Sequence, residues 1–126
     1  MTQTTTVNRH PAFLDELAFD AVMNASFLRK PIKGEVAITA VVEAVASLYA
    51  TLTPVLKGSV GGRDFIEYNA ELSSGLGLHA VVALTRNSEG KVSEASVLMS
   101  PLDAVLVISS KVSESLSSGM TTDFFF

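Results

Sequence analysis

The sequence lacks cysteine and tryptophan and is poor in charge, since only 17% of its 126 residues are charged. Without cysteine the chain has no disulfides, no thiol nucleophile and no thiolate metal ligand, which fits a reducing compartment. Lys and Arg number 9 against 13 Asp and Glu, and the formal net charge is -4. Because nucleic-acid phosphates require a basic surface, we expect no nucleic-acid partner.

Long apolar runs are also missing. No uncharged apolar run reaches the roughly 18 residues of a membrane-spanning helix, so we expect no membrane partner. Segment 1–10, MTQTTTVNRH, is polar and has no apolar centre of the kind that a secretion signal contains. We interpret it as a polar N-terminal arm and expect a cytoplasmic protein.

Hydrophobic residues, in contrast, make up 48% of the chain. A chain of this length forms one domain and buries roughly two thirds of the surface that its unfolded form exposes. We therefore predict a single domain over residues 11–126. Its apolar surplus has to be buried in the core, in a pocket or in a subunit contact, so a homo-oligomer is expected.

Two segments in the first half of the chain have helical patterns. Pro11 fits the first turn of a short helix that is predicted to end near Phe19. Segment 34–50, GEVAITAVVEAVASLYA, is the strongest helix, with a broad apolar face that includes Tyr49. Such a face predicts a helix that is covered on most sides.

A third helix is predicted at about residues 101–117. Ser100, Pro101 and Asp103 form a helix-start signature, with a serine cap, a proline in the first turn and an acid that reaches back to the cap. The chain then ends in an aromatic tail, residues 120–126, that closes with DFFF. Exposed phenylalanines at a terminus favour aggregation, so we predict that the tail docks over a pocket mouth or on a neighbouring subunit.

The other apolar segments have the patterns of strands, and they occupy residues 21–28, 51–72, 76–85 and 91–99. The glycine pair Gly61 and Gly62 permits a tight turn within the second of them, and Gly90 permits another within NSEG. Hairpins of this kind between helices predict an α+β fold, with a curved, mainly antiparallel sheet packed on helices.

Two segments together resemble the nuclear transport factor 2-like superfamily, in particular its SnoaL-like branch: FLDELAFDAVMNASFLRKPIKGEVAI and GRDFIEYNAELSSGLGLHAVVALTRNSEGKVSEASVLMSPL. They carry a short helix that leads into a strand, a link over residues 31–34 that opens the long helix, and a final hairpin with the turn NSEGKV. The resemblance implies a cone-shaped fold in which sheet and helices enclose a pocket, with dimerisation through the sheet. Family members include isomerases, polyketide cyclases, dehydratases, epoxide hydrolases and proteins that only bind, so the fold does not select a function.

The chain departs from this family at both ends. Members usually have a long first helix, whereas only ten polar residues precede the matching segment here. Conversely, the predicted helix and tail after Pro101 extend beyond the point where many members stop. We hypothesise that the added C-terminal helix covers the core surface that the missing first helix covers elsewhere.

The resemblance also implies where catalytic groups would lie. Ketosteroid isomerases combine a carboxylate base with donors that stabilise an oxyanion, and the matching positions fall near Ala25 and Val82, which have no titratable side chain. The charged groups available for an epoxide-hydrolase site share no pattern, and we interpret them as solvated sheet edges: Arg63, Glu67, Glu71, Arg86 and Glu94.

Seven residues are candidates for the ligand pocket: Met23, Phe27, Phe65, Tyr68, Asn69, His79 and Met99. Met and Phe at such positions otherwise fill cores. His79 is the one candidate for a catalytic group, and its alternative is a satisfied histidine in the core or in a dimer interface. His10 is interpreted as a capping or exposed residue. Because the two histidines are far apart in sequence, we predict no metal and no cofactor.

These features favour a SnoaL-like domain that binds a small hydrophobic molecule in the cone pocket, without recognisable catalytic machinery, and that forms a homodimer through the sheet. Two alternatives stay open. One is an isomerase, dehydratase or hydrolase that uses His79 with an unidentified acid. The other is a dimeric interaction module whose pocket is filled by its own side chains.

Overall fold

The computed structural model describes residues 9–116 and 122–126. In chain order the elements are a 3-10 helix Ala12–Glu16, β1 Leu17–Ala25, β2 Ile32–Lys33, α1 Glu35–Ala46, β3 Tyr49–Val60, β4 Arg63–Leu72, β5 Gly77–Arg86, β6 Val92–Ser100, α2 Leu102–Ser115 and a 3-10 turn Thr122–Phe124. Neither α1 nor α2 combines the length and the apolar character that a membrane-spanning helix needs.

The strands form one six-stranded sheet in the order β2-β1-β6-β5-β4-β3. β1 pairs in parallel with β6, and all other neighbours are antiparallel. Register irregularities in β3, at Tyr49–Thr51 and Pro54–Leu56, bend this edge of the sheet. α1 packs on β1 and β2, and α2 packs on β6 and on α1. The predicted α+β fold, a curved and mainly antiparallel sheet on helices, is confirmed.

Two predicted helix boundaries are wrong. The first helix ends at Glu16 rather than near Phe19, because the strand β1 already begins at Leu17, which pairs with Val92. The long helix ends at Ala46 rather than at residue 50, because Tyr49 opens β3 opposite Leu72. In both places the sheet supplies the backbone hydrogen bonds that further helical turns would otherwise provide.

The predicted turns have the geometry that their glycines allow. Gly61 and Gly62 join β3 to β4 with φ of 60° and 79°, and Gly90 has φ of 78° in the turn between β5 and β6. Residues with a Cβ rarely adopt such positive φ values. These two turns fix the antiparallel register of the four strands that they join.

The C-terminal helix α2 begins at Leu102, and Pro101 rather than Ser100 occupies the cap position, with no side-chain cap. The Asp103 carboxylate instead accepts a hydrogen bond from the N–H of Ala104 at 2.8 Å. The buried face of α2 belongs to the core and consists of Ala104, Val105, Ile108, Ser109 and Val112. Before β1 the described residues contain only the short 3-10 helix, so α2 is the second long helix that covers the sheet.

The aromatic tail docks on its own chain. Phe125 is 4% exposed and forms an antiparallel bridge with Leu28, while the Arg29 N–H donates to the Phe124 carbonyl at 2.8 Å. The Nζ of Lys30 lies 4.7 Å from the centre of the Phe124 ring. Phe124 and Phe125 thus pack on the loop after β1 rather than over a pocket mouth, whereas the side chain of Phe126 is 63% exposed.

Ser109 secures this docking from α2. Its side chain is fully buried; its hydroxyl donates to the Phe27 carbonyl at 2.9 Å and accepts from the Phe126 N–H at 2.8 Å. One buried hydroxyl therefore satisfies two backbone groups from different segments. Residues 117–121, where the predicted helix end and tail start fall, lie outside the described residues.

Candidate functional site

A cavity of about 180 Å³ lies between α1 and the concave face of the sheet. Its wall combines apolar side chains with two tyrosines: Pro11, Phe13, Met23, Phe27, Val42, Val45, Ala46, Tyr49, Leu52, Pro54, Ile66, Tyr68, Val82, Val97 and Met99. None of these lining residues carries a carboxylate, an imidazole, an ammonium or a guanidinium group. The cavity is therefore apolar, apart from the two phenol groups.

The cavity has a buried end and an accessible end. Met23 and Phe27 are almost completely buried and form the inner end. Pro54 is exposed, and Pro11 and Leu52 are half-buried, so the cavity reaches solvent between the N-terminal 3-10 helix and β3.

Tyr49 and Tyr68 form the polar part of the wall. Their hydroxyl oxygens are 2.7 Å apart, and their rings meet edge to face with centroids 5.9 Å apart. Burial raises the pKa of Tyr49 and also the pKa of Tyr68, because a phenolate is costly away from water. Both hydroxyls are consequently protonated at neutral pH, and one donates to the other. We call them the Tyr49–Tyr68 hydroxyl pair.

Four of the seven predicted pocket residues line this cavity: Met23, Phe27, Tyr68 and Met99. The placement of the other three, Phe65, Asn69 and His79, in the pocket is wrong. Successive side chains of a strand point to opposite faces, and Tyr68 and Val82 take the cavity side of β4 and β5. Phe65, Asn69 and His79 therefore lie on the opposite, outer face of the sheet.

His79 has an acidic partner on that outer face. Its Nε2 lies 2.6 Å from Oε2 of Glu67, with the side chains 42% and 31% exposed. The residues are 12 positions apart, and the antiparallel register of β4 and β5 brings them together. The catalytic candidate of the sequence thus belongs to a hydrogen-bonded pair on the surface, which the sheet separates from the cavity.

The other charged candidates also lie away from the cavity. Arg63 and Glu94 approach to 3.8 Å on the outer face. The guanidinium group of Arg86 lies 2.7 Å from a carboxylate oxygen of Glu16 and 2.9 Å from one of Asp64. The hydrogen bond from Ser59, and to a smaller extent the one from Arg86, lowers the pKa of Asp64. Within residues 9–116 and 122–126, no group of three or more acidic or histidine side chains could hold a metal ion.

Tyr49 is the site residue that the sequence pattern missed. Helical periodicity assigned it to the apolar face of the long helix, beside Val45. In the structure it begins β3 opposite Leu72, and its hydroxyl reaches that of Tyr68, four residues away along β4. No local signal in SLYATLTP distinguishes the last turn of a helix from the start of a strand, since only pairing with β4 decides it.

His10 lies at the rim of the cavity, next to Pro11. Its Nδ1 is 2.6 Å from Oε2 of Glu43 on α1, and its Nε2 is 2.9 Å from Oδ1 of Asp15. A neutral imidazole has one N–H, so it can donate to only one carboxylate. The geometry therefore favours the imidazolium, and the hydrogen bonds to Glu43 and then Asp15 raise the pKa of His10.

We expect the pKa of His10 to lie above its ordinary value of 6.5. Because folding raises this pKa, the charged imidazole of His10 stabilises the folded state. Its contribution to the free energy of unfolding is complete below about pH 6.5 and is lost as the pH rises through the raised pKa. The pKa of His10 is measured from the NMR shifts of its imidazole as a function of pH. Glu43→Gln should shift this pKa towards 6.5. Glu35→Gln, on the same helix, is the control; an equal shift in both variants would contradict the assignment.

The fold, rather than the sequence, connects this chain to known proteins. No protein-family model matches the sequence, and no curated protein matches it. An uncharacterised protein with a cystatin-like fold from Silicibacter pomeroyi DSS-3 superimposes with a TM-score of 0.78 at 18% identity, over 85% of this chain and 75% of that one.

A steroid delta-isomerase from Pseudomonas aeruginosa gives a TM-score of 0.75 at 16% identity, over 83% of this chain and 77% of that one. A protein of the SnoaL-like family from Agrobacterium tumefaciens str. C58 gives 0.56 at 13% identity, over 74% and 80% respectively. Similarity at these identities shows the fold alone. The predicted nuclear transport factor 2-like cone fold, which SnoaL-like proteins share, is confirmed.

Proposed function

We propose that this chain, a nuclear transport factor 2-like cone, binds a small hydrophobic molecule in the cavity between α1 and the sheet. The observation that carries the proposal is the apolar wall, in which the two tyrosine hydroxyls are the only strongly polar side-chain groups among the described lining residues. Apolar cavities of similar size stay dry and take up apolar ligands. Burial of each CH₂ group of such a ligand contributes about 0.8 kcal/mol.

The absence of a proton acceptor in the wall is the reason for preferring binding to catalysis. General acid–base chemistry needs a group whose pKa lies near the working pH and which reaches the reacting proton. Among the described lining residues only Tyr49 and Tyr68 titrate, and burial raises the pKa of both. They can donate hydrogen bonds but cannot take up a proton at neutral pH. An isomerase, dehydratase or hydrolase would need a further base.

The pocket-filled interaction module is less consistent with this geometry. The cavity retains about 180 Å³, and none of Phe124, Phe125 and Phe126 lines it. The tail docks instead beside Leu28 and Ser109. Self-filling would require side chains of the wall to move inward.

Titration of isotope-labelled protein with toluene tests the proposal. We expect saturable NMR shift changes at wall residues, above all the methyl groups of Met23, Val97 and Met99. Residues of the outer face such as Leu98 should not respond. No saturable change up to the solubility limit of toluene, or changes centred on the outer face, would refute cavity binding. Native mass spectrometry of freshly purified protein then shows whether a natural ligand is retained.

We further propose that the chain forms a homodimer through the outer face of the sheet. This face carries apolar side chains that the single chain leaves wholly or partly exposed: Leu56, Val60, Phe65, Val81 and Leu98. Among its ionisable side chains, Glu67 contacts His79 and Arg63 contacts Glu94 within one chain, and Glu71 lies near the end of β4. Four of these five side chains thus have partners within the chain, which limits like-charge repulsion when two copies approach face to face.

Leu98→Glu is expected to convert the dimer to a monomer. The side chain is 64% exposed in the single chain, and a carboxylate there would be buried without a counter-charge against the second copy. Light scattering after size exclusion measures the mass directly. Leu106→Glu, at an exposed position of α2, is the control and should stay dimeric. A wild-type protein that is monomeric at high micromolar concentration would refute the proposal.

A further inference from the structure

We infer that the ligand is a neutral, single-ring molecule whose one hydroxyl or carbonyl oxygen binds the Tyr49–Tyr68 hydroxyl pair. This inference rests on the proposed function, and it adds the chemical class of the ligand. It depends on three properties of the cavity: its unused hydrogen-bonding capacity, its lack of charge and its volume.

The hydrogen-bonding capacity of the hydroxyl pair is only partly used. Each tyrosine hydroxyl has one hydrogen and accepting lone pairs, and the contact at 2.7 Å uses a single hydrogen. The second hydrogen has no partner among residues 9–116 and 122–126. Buried polar hydrogens are normally paired, so an oxygen at this point of the cavity completes the arrangement. A hydroxyl or carbonyl oxygen of the ligand meets that need.

The charge of the wall restricts the ligand to neutral molecules. A bound carboxylate would lose its hydration and meet no cation, because no Lys, Arg or His lines the described cavity. A bound ammonium would likewise meet no carboxylate. The tyrosine hydroxyls themselves are neutral, so they provide hydrogen bonds but no counter-charge. Fatty acids and amines are thereby disfavoured relative to phenols, alcohols and ketones.

The volume restricts the ligand to about one ring. A cavity of about 150 Å³ holds benzene, whereas sites for drug-sized ligands span roughly 300–1,000 Å³. The 180 Å³ found here accommodates a benzene or cyclohexane ring with one or two substituents. With the oxygen at Tyr49 and Tyr68, the ring extends towards Met23 and Phe27 at the buried end. A fused polycyclic ligand would extend beyond this space towards solvent at the accessible end and would bury a smaller share of its surface.

Four probe molecules separate these properties: toluene, p-cresol, p-toluate and 2-naphthol. We expect p-cresol to bind about three- to tenfold more tightly than toluene, which is the range of one net hydrogen bond. p-Toluate should bind more weakly than toluene because of its charge, and 2-naphthol more weakly than p-cresol because of its size. Affinities come from NMR titration or calorimetry at pH 7.

Tyr49→Phe combined with Tyr68→Phe on β4 should remove the preference for p-cresol, bringing its affinity within about twofold of that for toluene, because no hydroxyl is then left in the wall to bind the ligand oxygen. Ile66→Val, on the same strand and wall, is the matched control and should keep the preference. Equal binding of toluene and p-cresol by the wild type would overturn the inference and leave the proposed function intact, as would tighter binding of p-toluate or 2-naphthol. If neither toluene nor p-cresol binds, the proposed function itself fails.

Discussion

Deletion of residues 102–126 is expected to abolish cooperative unfolding and to leave a molten or insoluble protein. The segment buries Val105, Ile108, Val112 and Phe125, and each such side chain contributes about 1.5–3 kcal/mol by burial. Together these contributions are comparable with the whole stability of a typical domain, about 5–15 kcal/mol. Deletion also uncovers apolar surface on α1 and β6, against which α2 packs.

Scanning calorimetry together with binding of a hydrophobic dye measures this loss. The truncated protein should show no heat-absorption peak and should bind the dye strongly. Leu106→Ser, which changes an exposed position of the same helix, should retain the full transition. A truncated chain that kept the wild-type melting transition would show that α2 is not needed to cover the core.

Val82→Phe is expected to weaken toluene binding by more than about tenfold while the protein stays folded. Val82 lies on the cavity side of β5, so the larger ring occupies the space that the ligand needs. Overpacking a filled core costs about 1–3 kcal/mol, but the 180 Å³ of free space here accommodates the added atoms. We therefore expect a melting temperature close to that of the wild type.

The matched control is Val81→Phe, the same substitution one residue earlier on the outer face of the same strand. It should leave toluene affinity within about twofold of the wild type, because successive strand residues point to opposite faces. Both affinities are measured by the NMR titration used for the wild type. Equal loss in the two variants would indicate a general disturbance of β5 and would contradict the location of the site.

The described wall of the cavity contains two tyrosine hydroxyls and no carboxylate or imidazole group. Hydrogen-bond donors that stabilise a developing negative charge are one half of isomerase chemistry, and a base is the other. The first half is present as the Tyr49–Tyr68 hydroxyl pair, whereas Val82, which the family resemblance placed at the position of an acidic donor, is an apolar part of the wall. The acid and the histidine that do pair, Glu67 and His79, lie on the other side of the sheet.

Local patterns predicted the elements well wherever a single residue type restricts the backbone. The glycines at 61, 62 and 90 predicted the two turns that join β3 to β4 and β5 to β6. The three terminal phenylalanines predicted a docked tail; Phe124 and Phe125 pack on the chain, whereas Phe126 stays exposed. Helix ends were predicted less well, since Leu17 and Tyr49 join strands whose partners lie far away in sequence.

By itself the sequence determined the α+β class, the hairpin turns, the apolar character of the interior and the lack of thiol chemistry. Only the tertiary structure decided which side of the sheet each polar group occupies. A shift of one residue in strand register moves every side chain to the opposite face of the sheet. Near His79 both odd and even positions are apolar, so the sequence does not show which of them face the core. The cavity, the pairing of Tyr49 with Tyr68 and the placing of His79 beside Glu67 all follow from register between distant strands, which local periodicity does not encode.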